Sequence, residues 1–169
     1  YDLSEAIIQT FRKEKAKIGI MSSLPVNGSP GNPMMGGRGS EPWVFVDNLK
    51  KNYEVEDVAT SATEINGELG VLIVVHPKGL SSDTLYAIDQ YVVNGGRLIV
   101  AVDPMSRVDL AAGGQQARMM GKMPESSSSL GKLFTAWNIE FAKDKLLGDA
   151  GQLTQINAGG QAVAYPYFI

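Results

Sequence analysis

The sequence contains no cysteine, and its single histidine is His76. Without cysteine, the chain cannot form disulfides, thiolate metal sites, iron–sulfur clusters or a cysteine nucleophile. One histidine also excludes a multi-histidine metal site made by this chain alone. We therefore expect no metal ion and no other cofactor.

Basic charge and long apolar segments are also scarce. Fifteen Lys and Arg residues against eighteen Asp and Glu residues give a formal net charge of −3, which argues against a nucleic-acid-binding groove. No run of about 18 apolar residues is present, so the sequence predicts no membrane-spanning helix. The chain starts at Tyr1 without an initiator methionine or a signal segment. We expect it to be an excised piece of a longer protein, with its membrane tether elsewhere.

The 169 residues, of which 44% are hydrophobic, suit one domain with a substantial core. Apolar runs and alternating patterns predict strands over 16–21, 53–58, 70–77 and 97–104, and a shorter one over 138–141. The strands over 16–21, 70–77 and 97–104 are expected to be buried. Apolar spacing and capping residues predict helices over 4–14, 41–52, 81–94 and 126–137. In the first of these helices Ser4 is the cap, and Ile7, Ile8 and Phe11 fall on one face.

This alternation predicts an α/β fold with helices on both sides of a mostly parallel sheet. Right-handed crossovers make it a three-layer, doubly wound domain of flavodoxin- or Rossmann-like type. We assign this domain to residues 1–150. Residues 151–169 read as a C-terminal β-hairpin, which we interpret as an extension or as the start of a further region.

In such sheets, ligands bind at the carboxyl ends of the strands. Two long loops, 22–40 and 105–125, leave carboxyl ends, and His76 stands at a third. We therefore predict the functional surface at the carboxyl-edge rim, which comprises residues 22–40, 76–81 and 103–125. The glycine- and proline-rich stretch 27–39 matches neither common phosphate-binding pattern, so we infer no nucleotide from it.

His76 and Asp103 both end predicted strands and both precede proline. Such a pair can be a general base and the carboxylate that orients it, and Ser22, Ser81 or Ser106 could complete a triad. No Gly-x-Ser-x-Gly elbow is present, however. Proline also restricts the preceding residue to extended backbone. His76 and Asp103 can therefore equally have the structural role of ending their strands.

Six of the seven methionines lie in the two long loops: Met34, Met35, Met105, Met119, Met120 and Met123. Flexible thioethers suit an adaptable contact surface, although loop ends can also tuck such side chains onto the domain. No catalytic or metal-binding residue is assigned. The candidates for ligand or partner binding are His76, Asp103, Ser22, Ser81, Arg38, Met119, Met120 and Met123. The acidic residues Glu54, Glu56, Asp57, Glu64 and Glu68 are predicted to form a solvated face rather than a calcium site.

Four motifs carry a family resemblance: His76-Pro77-Lys78-Gly79-Leu80-Ser81, Leu85-Tyr86-Ala87-Ile88-Asp89-Gln90-Tyr91-Val92, Gly95-Gly96-Arg97-Leu98 and Val102-Asp103-Pro104. Together with the rest of residues 15–150, they resemble the GldG-type auxiliary component of uncharacterised ABC transport systems associated with gliding motility. The resemblance implies a GIFT-like layer of the class I glutamine-amidotransferase type. Enzymes of that layer use a nucleophilic cysteine, so their activity cannot be carried over. Asp89 matches the pattern, and we interpret it as a solvent-side residue or a partner of Arg97.

The resemblance also implies a place for the domain in the cell. It would lie on the periplasmic face of a bacterial inner membrane, anchored by helices outside this chain, beside an ABC permease and ATPase. We therefore predict a non-enzymatic binding or scaffold domain whose rim contacts another subunit or a small polar ligand. The alternatives are a hydrolase or transferase that uses His76 and Asp103, and an assembly module whose rim binds nothing specific.

Overall fold

The fold was obtained as a computed structural model. It describes residues 15–28, 39–110 and 126–145, and the backbone of two further strands over 154–158 and 161–165. The elements are β1 (Lys17–Ser22), α1 (Val44–Asn52), β2 (Glu54–Asp57), β3 (Val71–Val75), α2 (Ser82–Val93), β4 (Leu98–Ala101), α3 (Lys132–Ala136), β5 (Thr154–Ala158) and β6 (Gln161–Tyr165). Within the described residues, no helix is long and apolar enough to cross a membrane.

Strands β1 to β4 form one parallel sheet in the order β2-β1-β3-β4. This is the order of the first four strands of a flavodoxin-like sheet, so the predicted α/β, doubly wound fold is confirmed. Strands β5 and β6 pair antiparallel with each other. The predicted domain division at residue 150 stays a prediction, and the predicted helix over 4–14 lies outside the described residues.

Alternating side chains divide the core between the two faces of the sheet. On the first face, Ile18 and Ile20 of β1 pack with Val46 of α1, and we call it the α1 face. On the other face, Leu72 and Val74 of β3 pack with α2 and α3, and we call it the α2 face. Both central strands are therefore built from apolar residues that bury in both directions, as expected of a parallel sheet.

Helix α2 begins where its sequence predicts. The Ser81 hydroxyl accepts a hydrogen bond from the Thr84 backbone N–H at 3.1 Å, which satisfies one of the unpaired donors of the first turn. The buried residues of α2 include Ala87, Ile88 and Tyr91, which follow helical spacing on one side. This side packs on the α2 face of the sheet.

Two helices begin later than predicted, because backbone N–H groups before them donate hydrogen bonds to loop carbonyls. Helix α1 begins at Val44 rather than near 41, since the Trp43 backbone N–H donates to the Val26 carbonyl at 2.8 Å and Trp43 stays extended. The predicted helix over 126–137 is reduced to α3. There the Ser128 and Ser129 N–H groups donate to the carbonyls of Asp103 and Pro77, which keeps this stretch outside the helix.

Three further expectations were wrong. Strand β4 lies at the edge of the described sheet, and Ile99 is 56% exposed, so the strand is only half-buried. Residues 138–141 form no strand, because Asn138 takes a positive φ of 55° and ends α3. Residues 107–110, predicted as loop, are helical. The five acidic residues predicted to be solvated are all exposed, as expected.

Candidate functional site

The carboxyl ends of β1 and β3 lie side by side at the rim. In flavodoxin-like sheets this is the switch point, where the chain leaves in opposite directions and opens a ligand crevice. Here Ser23, just after β1, bridges that point. Its hydroxyl accepts a hydrogen bond from the Lys78 N–H at 3.1 Å and lies 3.4 Å from the Lys78 carbonyl. The two loops that would flank a crevice are therefore tied together.

His76, directly after β3, is buried, with only 2% of its surface exposed. Its backbone N–H donates to the Ala101 carbonyl at 2.8 Å. Its φ is +49°, in the left-handed region, so the extended backbone expected before Pro77 is not adopted. This conformation turns the chain sharply at the strand end and points to a site held by its surroundings.

The side chain next to His76 belongs to Asp109. His76 Nε2 lies 3.4 Å from Asp109 Oδ2. The same carboxylate oxygen accepts a hydrogen bond of 2.6 Å from Lys78 Nζ. His76 Nδ1 is buried and has no hydrogen-bond partner among the described residues. His76, Lys78 and Asp109 thus form a charged cluster at the rim, which we call the rim triad.

Opposing effects act on the Asp109 carboxyl. Partial burial raises its pKa, whereas hydrogen bonds from Lys78 and His76 and the positive charge of Lys78 lower it. The favourable contacts prevail, and the pKa of Asp109 lies below its ordinary value of 3.8. Asp109 is therefore a carboxylate at neutral pH, held by an ammonium group, which suits a structural or positioning role.

Asp103 does not take the place predicted for it in a pair with His76. Its carboxylate accepts a hydrogen bond from the Met105 N–H at 2.8 Å, which forms an Asx turn. Its own N–H donates to the Ser128 hydroxyl at 2.9 Å. Asp103 therefore stabilises the turn that follows β4, in agreement with the interpretation that it ends the strand. The carboxylate beside His76 is that of Asp109.

The serines considered for a triad serve local structure. Ser22 accepts a hydrogen bond from the Leu24 N–H at 3.0 Å, Ser81 caps α2, and Ser106 accepts one from the Asp109 N–H at 3.3 Å. Among the other candidates, Arg38, Met119, Met120 and Met123 lie outside the described residues.

Asp109 and Lys78 are the rim residues that sequence reasoning missed. A signal for Asp109 was present, because Ser106 and Asp109 have the S-x-x-D spacing of a helix start. That spacing predicts the helical turn that carries Asp109. Lys78 lay inside the His76–Ser81 motif, but no pattern in the sequence showed that its side chain would reach a carboxylate 31 residues away.

A cavity of about 470 Å³ lies at the opposite, amino edge of the sheet. It is bounded by the C-terminal end of α2 and the segment before β3, and its lining includes Tyr91 and Arg97. Tyr91 Oη donates to the Leu69 carbonyl at 2.9 Å, and burial raises the pKa of its phenol. The sequence had predicted only the end of a helix in this region and no cavity.

Asp89 is neither a solvent-side residue nor the partner of Arg97. It is half-buried, and its carboxylate accepts a hydrogen bond of 3.0 Å from Trp137 Nε1. This bond joins α2 to the residue that ends α3. Asp89 therefore contributes to packing on the α2 face. No group of three or more metal-ligating side chains occurs within the described ranges.

Comparison with protein families shows which family this chain belongs to. Residues 15–169 match the family model described as an ABC-type uncharacterized transport system, and the chain belongs to that family. It is an auxiliary component of an ABC transport system. Searches of curated proteins and of solved structures found no match.

Proposed function

We propose that this domain is non-enzymatic and acts by assembly. It lies on the periplasmic face of a bacterial inner membrane, where its rim contacts the ABC permease and ATPase complex. The observation that supports this best is the bonding of the rim hydroxyls. Those of Ser22, Ser23, Ser81 and Ser106 serve turns, caps and a loop bridge, and His76 contacts an acid already held by a lysine.

An acyl- or group-transfer site needs a nucleophile within hydrogen-bond reach of its base. At this rim the base candidate contacts a carboxylate, and the nearby hydroxyls have other partners. The resemblance to GldG-type components is the basis for extending the proposal to gliding motility. Family membership supports the assembly role in general, and the periplasmic location rests on the resemblance.

Photocrosslinking tests the rim contact. Val108 lies on the rim and is 41% exposed, so a photoreactive amino acid can replace it without disturbing the core. Glu54, exposed at the amino end of β2, provides the matched control. In membranes that contain the whole transport system, we expect an adduct with permease from position 108 and little from position 54. Equal adducts from both, or none from either, would contradict the rim contact.

The absence of cysteine makes the location testable as well. A Lys143→Cys variant of the full-length protein gains one exposed thiol in this domain. We expect a membrane-impermeant maleimide to label it in intact spheroplasts as strongly as in lysed cells. Labelling that appears only after lysis would place the domain in the cytoplasm. The full-length protein without this substitution is the control for background labelling.

The unpartnered, buried Nδ1 of His76 supports a second candidate function, which is binding of a small polar ligand at the rim. A ligand present at a hundred times its dissociation constant stabilises the folded state by about 2.7 kcal/mol. A thermal-shift screen against sugars, amino acids, nucleotides and peptides would detect it. We expect any true rim ligand to lose its effect in His76→Ala, and a screen without shifts would leave assembly as the function.

A further inference from the structure

Three Asn-Gly pairs occur in the sequence, at 27–28, 66–67 and 94–95. In such a pair the backbone nitrogen of glycine can attack the asparagine side-chain carbonyl, because glycine has no Cβ to obstruct the approach. The structure describes all three pairs, so their surroundings can be compared. They differ in the hydrogen bonds made by the attacking nitrogen and by the side chain that is attacked.

The glycine nitrogens of the first and third pairs are engaged. The Gly28 N–H donates to the carbonyl three residues earlier at 3.1 Å, and the Gly95 N–H donates to the corresponding carbonyl at 2.9 Å. In the first pair the asparagine side chain is also held, because Asn27 Nδ2 donates to Asp57 Oδ1 at 2.7 Å. Attack in either pair therefore requires that a hydrogen bond break first.

The glycine nitrogen of the second pair is free. Residues 66–69 form a β-turn, in which the Leu69 N–H donates to the Asn66 carbonyl at 3.2 Å. The Gly67 N–H donates no hydrogen bond within the described residues. Asn66 and Gly67 are both exposed, and beyond the adjoining residues no heavy atom lies within 4 Å of the place where a Cβ on Gly67 would be. Water can therefore reach this nitrogen and accept its proton.

The carbonyl that would be attacked is activated by the same turn. Asn66 Oδ1 accepts a hydrogen bond from the Glu68 N–H at 3.0 Å. Negative charge develops on this oxygen when the amide carbon is attacked, so the Glu68 N–H stabilises the tetrahedral intermediate as an oxyanion donor does. Asn66 Nδ2, the leaving nitrogen, donates to Glu56 Oε2 at 3.3 Å between two exposed side chains, which is a long bond and holds it weakly.

We propose that Asn66 is a site of spontaneous deamidation. The Gly67 nitrogen loses its proton to solvent and forms a bond to Asn66 Cγ, after which the Cγ–Nδ2 bond breaks and ammonia leaves. Water then opens the succinimide at either carbonyl and gives aspartate or isoaspartate at position 66. No oxidant, reductant or cofactor takes part. The proposal is independent of the transport role, because it depends only on the geometry of this turn.

The products disturb the segment that leads into β3. Isoaspartate adds a methylene to the backbone of the turn that holds Leu69. This leucine is buried in the core of the α2 face, and its carbonyl accepts the hydrogen bond from Tyr91 Oη at 2.9 Å. A carboxylate at position 66 also lies beside Glu56 and Glu68, where like charges repel. We therefore expect the modified domain to be less stable.

Peptide mapping by mass spectrometry tests the site. The purified protein would be kept at mildly alkaline pH, and aspartate and isoaspartate would be measured over time at positions 27, 66 and 94. We expect Asn66 to react at least about five times faster than the other two, the factor that corresponds to one hydrogen bond of about 1 kcal/mol. No reaction at Asn66, or an equal rate at Asn27 or Asn94, would overturn the proposal.

Two controls separate the fold from the local sequence. In guanidinium chloride all three pairs lose their hydrogen bonds, so their rates should become similar. If Asn66 kept its full lead in the unfolded chain, the turn would not be the cause and the proposal would fail. Gly67→Ala fits the open space at this position, and its methyl group should slow the reaction at Asn66 severalfold. An unchanged rate would exclude attack by this nitrogen.

Thermal unfolding measures the consequence. The isoaspartate form, separated from the parent protein by ion exchange, should melt about 2–4 °C lower than the unmodified form. Gly67→Ala kept under the same conditions should retain its melting temperature, because its turn stays unmodified. Equal falls in the two proteins would show that modification at position 66 is not what destabilises the domain.

Discussion

Replacing Asp109 by alanine should destabilise the domain, because two neighbours depend on its carboxylate. Lys78 Nζ donates to Asp109 Oδ2 at 2.6 Å, and the buried His76 Nε2 lies 3.4 Å from the same oxygen. The Lys78 side chain is 36% exposed, so solvent screening limits that ion pair to about 0.5 kcal/mol. Leaving a buried ring nitrogen of His76 without its partner costs about 1–2 kcal/mol.

The two effects together predict a loss of about 2 kcal/mol in the free energy of unfolding for Asp109→Ala. In a chain of this size, that corresponds to a fall of about 4–8 °C in melting temperature. Asp109→Asn keeps an oxygen near His76 and should lose about 1 kcal/mol. Lys78→Ala should lose about 0.5 kcal/mol through the loss of the screened pair.

Urea unfolding followed by tryptophan fluorescence would measure these values, since Trp43 and Trp137 both pack against the core. The order of the losses is the sharper test. If Lys78→Ala cost as much as Asp109→Ala, the ion pair rather than the histidine contact would dominate. If Asp109→Ala left stability unchanged within 0.3 kcal/mol (roughly the error of such comparisons), the rim triad would have no structural role.

The pH dependence follows from the lowered pKa of Asp109. A carboxyl group whose pKa is lower in the folded state contributes stability that is fully present above its unfolded pKa. That contribution is lost as the pH falls through the folded pKa, below the ordinary value of 3.8. The stability difference between the parent protein and Asp109→Asn should therefore be constant near neutral pH and shrink under strong acid. A difference that grew on acidification would contradict the cause assigned to the shift.

Three further substitutions test the packing. Tyr91→Phe removes the hydrogen bond to the Leu69 carbonyl, and should lower the free energy of unfolding by about 1–2 kcal/mol in urea titrations. Gly19→Ala places a methyl group 2.6 Å from Leu69 Cδ1, so overpacking should cost about 1 kcal/mol by the same measurement. Trp137→Phe removes the donor to Asp89 and should lower the melting temperature by about 2–6 °C; an unchanged melting temperature would show that this bond does not hold α3.

The sequence predicted the sheet because its signals there were local. Continuous apolar runs rich in β-branched residues, such as Val71–Val75, mark central parallel strands. The Ser81 cap and the Asn94 stop mark the ends of α2. The predicted helix start at 126–131 and the predicted strand at 138–141 were wrong for a common reason. Their conformation depends on backbone hydrogen bonds to distant loops and on positive φ angles, which apolar periodicity does not reveal.

The candidate site was predictable in position but not in composition. The carboxyl edge follows from the fold class, and His76 follows from its place at a strand end. The identity of its acidic neighbour does not follow, because Asp103 and Asp109 are both close in sequence to the end of β4. The Asp103 carboxylate accepts the hydrogen bond of an Asx turn. The helical turn at 107–110 places Asp109 next to His76 instead. Which of the two carboxylates contacts His76 depends on the three-dimensional arrangement of these turns, and a single sequence does not show that arrangement.

Co-purification of the complete transport system tests the central claim most directly. The full-length protein would be expressed together with its ABC permease and ATPase, with an affinity tag on the ATPase, and extracted in mild detergent. We predict that this protein co-elutes with both subunits in a fixed ratio, as an auxiliary component that acts by assembly should. Elution of the permease and ATPase as a complete complex without this protein, at the same expression levels, would contradict the account.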